Sequence, residues 1–183
     1  MSARLFLAVE VAEDDRQVLH AWASEVVGAD RGMRVVAPAQ MHLTLAFLGH
    51  RGLDEIDPLA ELVAGWEGTA APALRTAGAL WLSPRSPHVL TVSVDDVSGA
   101  LGAVHAGVWD ALEELGHERE RRTYRPHLTV ARVRHGWTAP RGALAPAPDR
   151  ELTATGLTLF RSWLGGGPAR YEALARARFS ADS

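Results

Sequence analysis

Hydrophobic and polar positions recur along this chain with two periods, one suited to strands and the other to helices. Arg4 to Val11 is an apolar run of strand length, and Glu13 to Val27 continues with helical spacing. In that helix Val18, Leu19, Trp22 and Val26 share one side, and Gly28 and Gly32 bracket its end. Val35 and Val36 lead through Pro38 into a strand from Met41 to Leu48, which Gly49 is expected to stop. Asp54 to Trp66 reads as a second helix, capped by Asp54, with Ile56, Leu59, Leu62 and Val63 in register. Ala73 to Leu82 and Val89 to Val94 read as strands joined by the turn-rich Ser83-Pro84-Arg85-Ser86-Pro87.

The second half repeats this texture. Ser98 to Leu115 has Leu101, Val104, Val108, Leu112 and Leu115 at helical spacing and ends at Gly116. The charged stretch Glu118 to Arg122 precedes a strand from Tyr124 to Val133, and a Pro-, Gly- and Ala-rich loop runs from about Gly136 to Pro148. Glu151 to Trp163 and Arg170 to Phe179 read as two closing strands joined by Gly165-Gly166-Gly167. This alternation predicts an α+β fold forming one bilobal domain over residues 1–183. Two pseudo-symmetric lobes are expected, each a mostly antiparallel sheet with helices on its outer side.

Composition narrows the chemistry. Hydrophobic residues at 47% and charged residues at 22% are the balance of a globular protein. The apolar runs are too short to span a bilayer, and Glu10, Glu13, Asp14 and Asp15 interrupt any leader-like segment, so a cytoplasmic location is expected. With no cysteine, disulfides, thiol nucleophiles and thiolate metal sites are excluded. All 19 basic residues are arginine, so there is no Schiff-base, P-loop or nucleotidyl-carrying lysine. Contacts to phosphate must come from arginine, histidine or backbone N–H groups. A net charge of -3 makes any nucleic-acid contact a local patch.

One internal echo carries chemistry. His42-Leu43-Thr44-Leu45 and His127-Leu128-Thr129-Val130 share the pattern His-apolar-Thr-apolar, each within a predicted strand. Chance supplies roughly 0.1 such copies in a chain of this composition. On a strand His42 and Thr44 share one face while Leu43 and Leu45 take the other, and the second copy behaves alike. Two lobes would then place two imidazoles and two hydroxyls around one cleft. Imidazole titrates near neutrality, so one ring can accept a proton while the other donates one, and the hydroxyls can hold non-bridging oxygens. That arrangement suits a phosphodiester and requires no metal.

A lone His-x-Thr on a strand is usually structural; the paired occurrence reverses that reading for His42 and His127 only. His20, His50, His88, His105, His117 and His135 read as surface or loop histidines. A zinc site lacks a third ligand at suitable spacing, and no Gly-x-Ser-x-Gly elbow is present for a serine triad.

The sequence resembles the 2H phosphoesterase superfamily, specifically the RNA 2',3'-cyclic phosphodiesterases also called 2'-5' RNA ligases. The resemblance spans most of the chain: Arg4-Leu5-Phe6-Leu7-Ala8, the first motif with Phe47-Leu48-Gly49, and Ser83-Pro84-Arg85 through Val89-Leu90. It continues in Tyr124-Arg125-Pro126-His127-Leu128-Thr129-Val130-Ala131-Arg132, Leu157 to Ser162, and Tyr171-Glu172. At His88-Val89-Leu90-Thr91 it departs mildly, since the family often has tryptophan after the leucine. The resemblance implies hydrolysis of a terminal RNA 2',3'-cyclic phosphate to a 2'-phosphomonoester without a cofactor or metal. It assigns His42 as proton donor to the departing 3'-oxygen, His127 as the base activating water, and Thr44 and Thr129 as phosphoryl ligands. The donor and acceptor assignment rests on the resemblance alone.

Further candidates lie outside the two motifs. Arg125 shares the strand parity of His127 and could reach the phosphate or the neighbouring backbone, with a solvated arginine beside Pro126 as the alternative; Tyr124 and Arg161 could line the cleft, as a base stack and a phosphate contact. Arg132 has the opposite parity, predicting an ion pair or a strand-end exit. Phe47 falls on the core face with Leu43 and Leu45, with base stacking as the alternative. Arg119, Arg121 and Arg122 form a basic cluster diluted by Glu118 and Glu120, expected to be a solvated loop. RNA ends or small cyclic nucleotides are the expected substrates of a monomer with no obligate protein partner and no membrane association. The competing classes are a nucleotide-free reversible 2'-5' RNA ligase and a non-catalytic RNA- or nucleotide-binding module.

Overall fold

The computed structural model describes residues 1–82, 86–140, 143–163, 165 and 169–180. The predicted turn at Ser83-Pro84-Arg85 and most of the Gly165-Gly166-Gly167 turn lie outside the described residues. The fold is α+β, with a mostly antiparallel sheet and three α-helices among the described residues. Its strands are β1 (Ser2–Val11), β2 (Met33–Val35), β3 (Leu43–Gly52), β4 (Ala73–Leu82), β5 (Val89–Asp96), β6 (His127–Val133), β7 (Glu151–Trp163) and β8 (Arg170–Arg178). The helices are α1 (Glu13–Val27), α2 (Ile56–Ala64) and α3 (Ala100–Glu114). No helix among the described residues is long and apolar enough to cross a membrane.

The sheet runs β1-β3-β6-β5-β4-β7-β8, and β1 also pairs with β7, so the ladder closes on itself. The β3–β6 join is a single recorded pair, Leu43 opposite Leu128. One face of β1 sends Leu5, Leu7 and Val9 into the main core with Leu19, Trp22 and Ala23 of α1, Leu59 and Val63 of α2, and Val108 and Trp109 of α3. The other face sends Phe6 and Ala8 into a small cluster with Phe160, flanked by Tyr171 and Ala173. The helices therefore cover one face and leave the other for a site.

Where the boundaries differ from the pattern, local chemistry accounts for it. Gly49 does not stop β3. With φ near +72° it sits beside a register shift, Leu5 opposite Gly49 but Phe6 opposite Phe47, and the strand continues to Gly52. Asp54 caps no helix: a 3-10 turn, Leu53–Glu55, precedes α2, and the Glu55 carboxylate accepts the Gly52 N–H at 2.9 Å. β6 begins at His127 rather than Tyr124, because Tyr124 turns away to stack on His105 of α3 at 4.0 Å. β2 is a strand that the hydrophobic pattern does not mark, being three residues long.

Candidate active site

The Leu43–Leu128 pair fixes the geometry of both motifs. Both leucines are fully buried, so they point into the main core. Their neighbours must project from the opposite face, and antiparallel counting sets Thr44 across from His127 and His42 across from Thr129. All four side chains line one pocket of about 460 Å³.

The same device then repeats in both strands. In β3 the partners of β1 skip from Thr44 to Ala46, leaving Leu45 as a bulge. In β6 the partners of β5 skip from Thr129 to Ala131, leaving Val130 as a bulge. A bulge inserts one residue and reverses the parity beyond it. Leu45, Ala46, Val130 and Ala131 are all buried, and Phe47 and Arg132 re-emerge on the pocket side. Each bulge carbonyl finds a donor outside its ladder. The Trp109 indole N–H donates to the Leu45 carbonyl at 3.3 Å, and the Val36 amide donates to the Val130 carbonyl at 2.8 Å.

Two expectations are thereby corrected. Phe47 is not core: it is 58% exposed and lines the pocket. Arg132 makes no ion pair among the described residues and enters the pocket instead of the interior. The signal for both was present in the sequence: two consecutive apolar residues, Leu45-Ala46 and Val130-Ala131, interrupt the alternation at matching places.

The two imidazoles sit in unlike surroundings. His42 is packed among Phe6 at 4.9 Å, Phe160 at 5.7 Å and Tyr171 at 5.3 Å between ring centroids. Burial among these rings pushes its pKa down to about 4, against an opposing pull from Glu10; Arg132 and His127 push the same way as burial. The Gln40 carbonyl favours the charged ring more weakly. His127 places Nδ1 2.7 Å from the Arg125 carbonyl. A carbonyl only accepts, so Nδ1 carries the hydrogen and Nε2 of the neutral ring keeps its lone pair free. Each histidine thus meets the backbone carbonyl two residues before it.

Other predicted residues lie elsewhere. The Arg125 side chain is exposed and outside the pocket; its carbonyl, not its guanidinium, serves the site. Tyr124 packs against the main core, with a buried hydroxyl that has no partner among the described residues, and burial raises its pKa. Arg161 lies on the opposite face from Phe160 and Ser162, its guanidinium 4.3 Å over the Trp163 ring. Arg119 is held by Asp110 and Glu113, at 2.5 Å and 2.8 Å. His117, expected as a surface or loop histidine, lies in the loop after α3 but is only 7% exposed, with Nε2 3.7 Å from Glu55. Burial lowers its pKa, with Arg51 adding to the effect.

The pocket also holds residues the motifs did not mark. Arg4 of β1 and Arg34 of β2 reach it from distant parts of the chain, and Gln40, Ser162 and Tyr171 complete the wall. Gln40 donates to the Ala169 carbonyl and ties the wall to the start of β8. No carboxylate lines the pocket among the described residues, and no cluster of three His, Asp or Glu side chains forms a metal site among them.

Known proteins bear on this arrangement. The family model for the 2'-5' RNA ligase superfamily matches residues 14–164. An RNA 2',3'-cyclic phosphodiesterase of Archaeoglobus fulgidus is 32% identical over 134 residues, covering 72% of this chain and 73% of that protein. One from Thermus thermophilus is 33% identical over 138 residues, 70% of this chain and 68% of that protein. Among solved structures, TT0787 of Thermus thermophilus superposes with a TM-score of 0.83 at 28% identity, covering 96% of this chain and 97% of that one. E. coli LigT complexed with 3'-AMP shares the fold, with a TM-score of 0.76 at 23% identity over 98% and 99% of the two chains. A family match across most of the chain, with relatives above 30% identity, places this protein in the 2'-5' RNA ligase superfamily of 2H phosphoesterases.

Proposed function

We propose that this protein hydrolyses the terminal 2',3'-cyclic phosphate of RNA to a 2'-phosphomonoester, with two histidines and without a metal. The observation that carries this reading is the convergence of His42, Thr44, His127 and Thr129 on one pocket that also holds arginines and no carboxylate among the described residues. Guanidinium groups attract a phosphodiester anion and repel a divalent cation. The named activity of the Archaeoglobus and Thermus relatives supports the same chemistry. The repeated motif and the repeated bulge support two pseudo-symmetric lobes meeting at the Leu43–Leu128 pair.

The free Nε2 of His127 takes a proton from water as its oxygen attacks phosphorus. The bond from phosphorus to the 3'-oxygen breaks, and His42 gives that oxygen a proton. The 2'-oxygen keeps the phosphate, and the ring protons exchange with solvent to reset the pair. Thr44 and Thr129 donate to the non-bridging oxygens as charge builds there. The aromatic wall keeps His42 neutral in the empty pocket; a bound phosphate anion supplies the opposite charge that favours its imidazolium. Phe47 offers an exposed face on which the terminal base stacks. One chain supplies every group, so a monomer suffices.

The test is to incubate the protein with an oligonucleotide ending in a 2',3'-cyclic phosphate, with and without EDTA, and identify the product. A 2'-monoester formed equally in both conditions is expected. A 3'-monoester, abolition by EDTA, joined strands in place of hydrolysis, or binding without turnover would each overturn the reading.

A further inference from the structure

Arg34 and Arg132 are direct cross-strand partners where β2 pairs with β6. Residues directly opposite in an antiparallel pair share a face, and like charges there are destabilising. Both are half-buried and line the pocket with the half-buried Arg4. Among the described residues no carboxylate forms an ion pair with any of the three. Burial presses the Arg132 guanidinium toward its neutral form; Tyr171 opposes this, and Arg34 and Arg4 lie close enough to add to it. Three cations held together without a counter-charge are a standing cost unless an anion joins them.

Charge balance identifies the anion. The reacting cyclic phosphate carries one negative charge, which Arg132 and a protonated His42 already exceed. Arg4 and Arg34 remain in excess. A terminal 2',3'-cyclic nucleotide has no phosphate beyond its 3' side, so the next negative charge along the substrate is its own 5'-phosphate. We propose that Arg4 and Arg34 seat the 5'-phosphate of the terminal nucleotide, so that the site selects the end of an RNA strand over a free nucleoside 2',3'-cyclic phosphate. This inference rests on the hydrolytic reading above and specifies its substrate.

The experiment compares two probes that differ by one group: a nucleoside 2',3'-cyclic phosphate with and without a 5'-phosphate. The wild-type protein should show a higher kcat/KM for the 5'-phosphorylated probe. Arg34→Gln and Arg4→Gln should each lower kcat/KM for that probe about tenfold more than for the other, the worth of one charge-assisted contact. Each variant should also flatten the salt dependence of binding by about one unit of slope. Arg34→Gln removes a like-charge pair, so its thermal midpoint should hold or rise, which separates lost recognition from lost folding. Equal wild-type rates on the two probes, or equal losses on both in the variants, would overturn the 5'-phosphate subsite and leave the hydrolytic function standing. Hydrolysis of neither probe, nor of a cyclic-phosphate oligonucleotide, would overturn the function and the subsite with it.

Discussion

The segments around His42 and His127 have nearly the same local sequence, the same bulge and the same face toward the pocket, yet one ring lies among aromatics and the other does not. Phe6, Phe160 and Tyr171 come to His42 from β1, β7 and β8, far away in sequence. His127 has Arg132 on its own strand and hydrogen-bonds the carbonyl of exposed Arg125. Duplicated motifs thus supply two like imidazoles, and the aromatic surroundings lower the proton affinity of His42. A site that draws an acid and a base from one side-chain type needs unlike surroundings for the two, and the donor role of His42 needs the bound phosphate anion to offset that lowering.

The comparison breaks most completely if either ring is removed. His42→Ala and His127→Ala should each lower kcat by about 10²- to 10⁴-fold on a cyclic-phosphate oligonucleotide, with circular dichroism and thermal midpoint retained. Next in size, Thr44→Val and Thr129→Val should each cost about 10²-fold in kcat, because each removes one donor to the developing charge while keeping the shape.

Acid titration sharpens the difference. His42 has a folded-state pKa near 4, below its usual 6.5, so the folded protein binds fewer protons than the unfolded chain between those values. Its contribution is fully present above pH 6.5 and lost as pH falls toward 4, at most about 3 kcal/mol. The lowered pKa values of His105 and His117 act in the same direction. Denaturant unfolding at pH 7.5 and 4.5 should show this loss, reduced in His42→Phe. The limb of kcat/KM that reports His42 should lie near pH 4 and move up in Phe6→Ala, which admits water to His42. A limb that stays in place would separate His42 from its aromatic wall.

The bulges are the subtlest target. Trp109→Phe keeps the buried ring but removes the donor to the Leu45 carbonyl. An unsatisfied buried acceptor costs about 1–3 kcal/mol, measurable by urea unfolding. Activity should fall less than in the threonine variants, because Val130 keeps its own donor from Val36.

Sequence periodicity located Glu13–Val27, Ala73–Leu82 and Glu151–Trp163 with their observed boundaries, since long regular runs leave little ambiguity. The His-x-Thr pair was equally legible, because alternation within a strand decides which face a side chain takes. Alternation also misplaced Phe47 and Arg132, for it holds only until a bulge, and a bulge is written faintly, as two adjacent apolar residues. β2 was missed because three residues carry no period. Arg34 belongs to the pocket by tertiary register alone, and no local pattern distinguishes it from the other arginines; Arg4 and Tyr171 stand within segments of the family resemblance, yet nothing local places them at the pocket.

The central claim is that the two imidazoles face one bound phosphate, and ring-nitrogen NMR during titration with a nucleoside 2'-monophosphate tests it most directly. The signals of both His42 and His127 should shift along one common binding curve, while His20, His50, His88 and His135 stay still. Movement of one ring alone, or two curves with different affinities, would contradict a shared site.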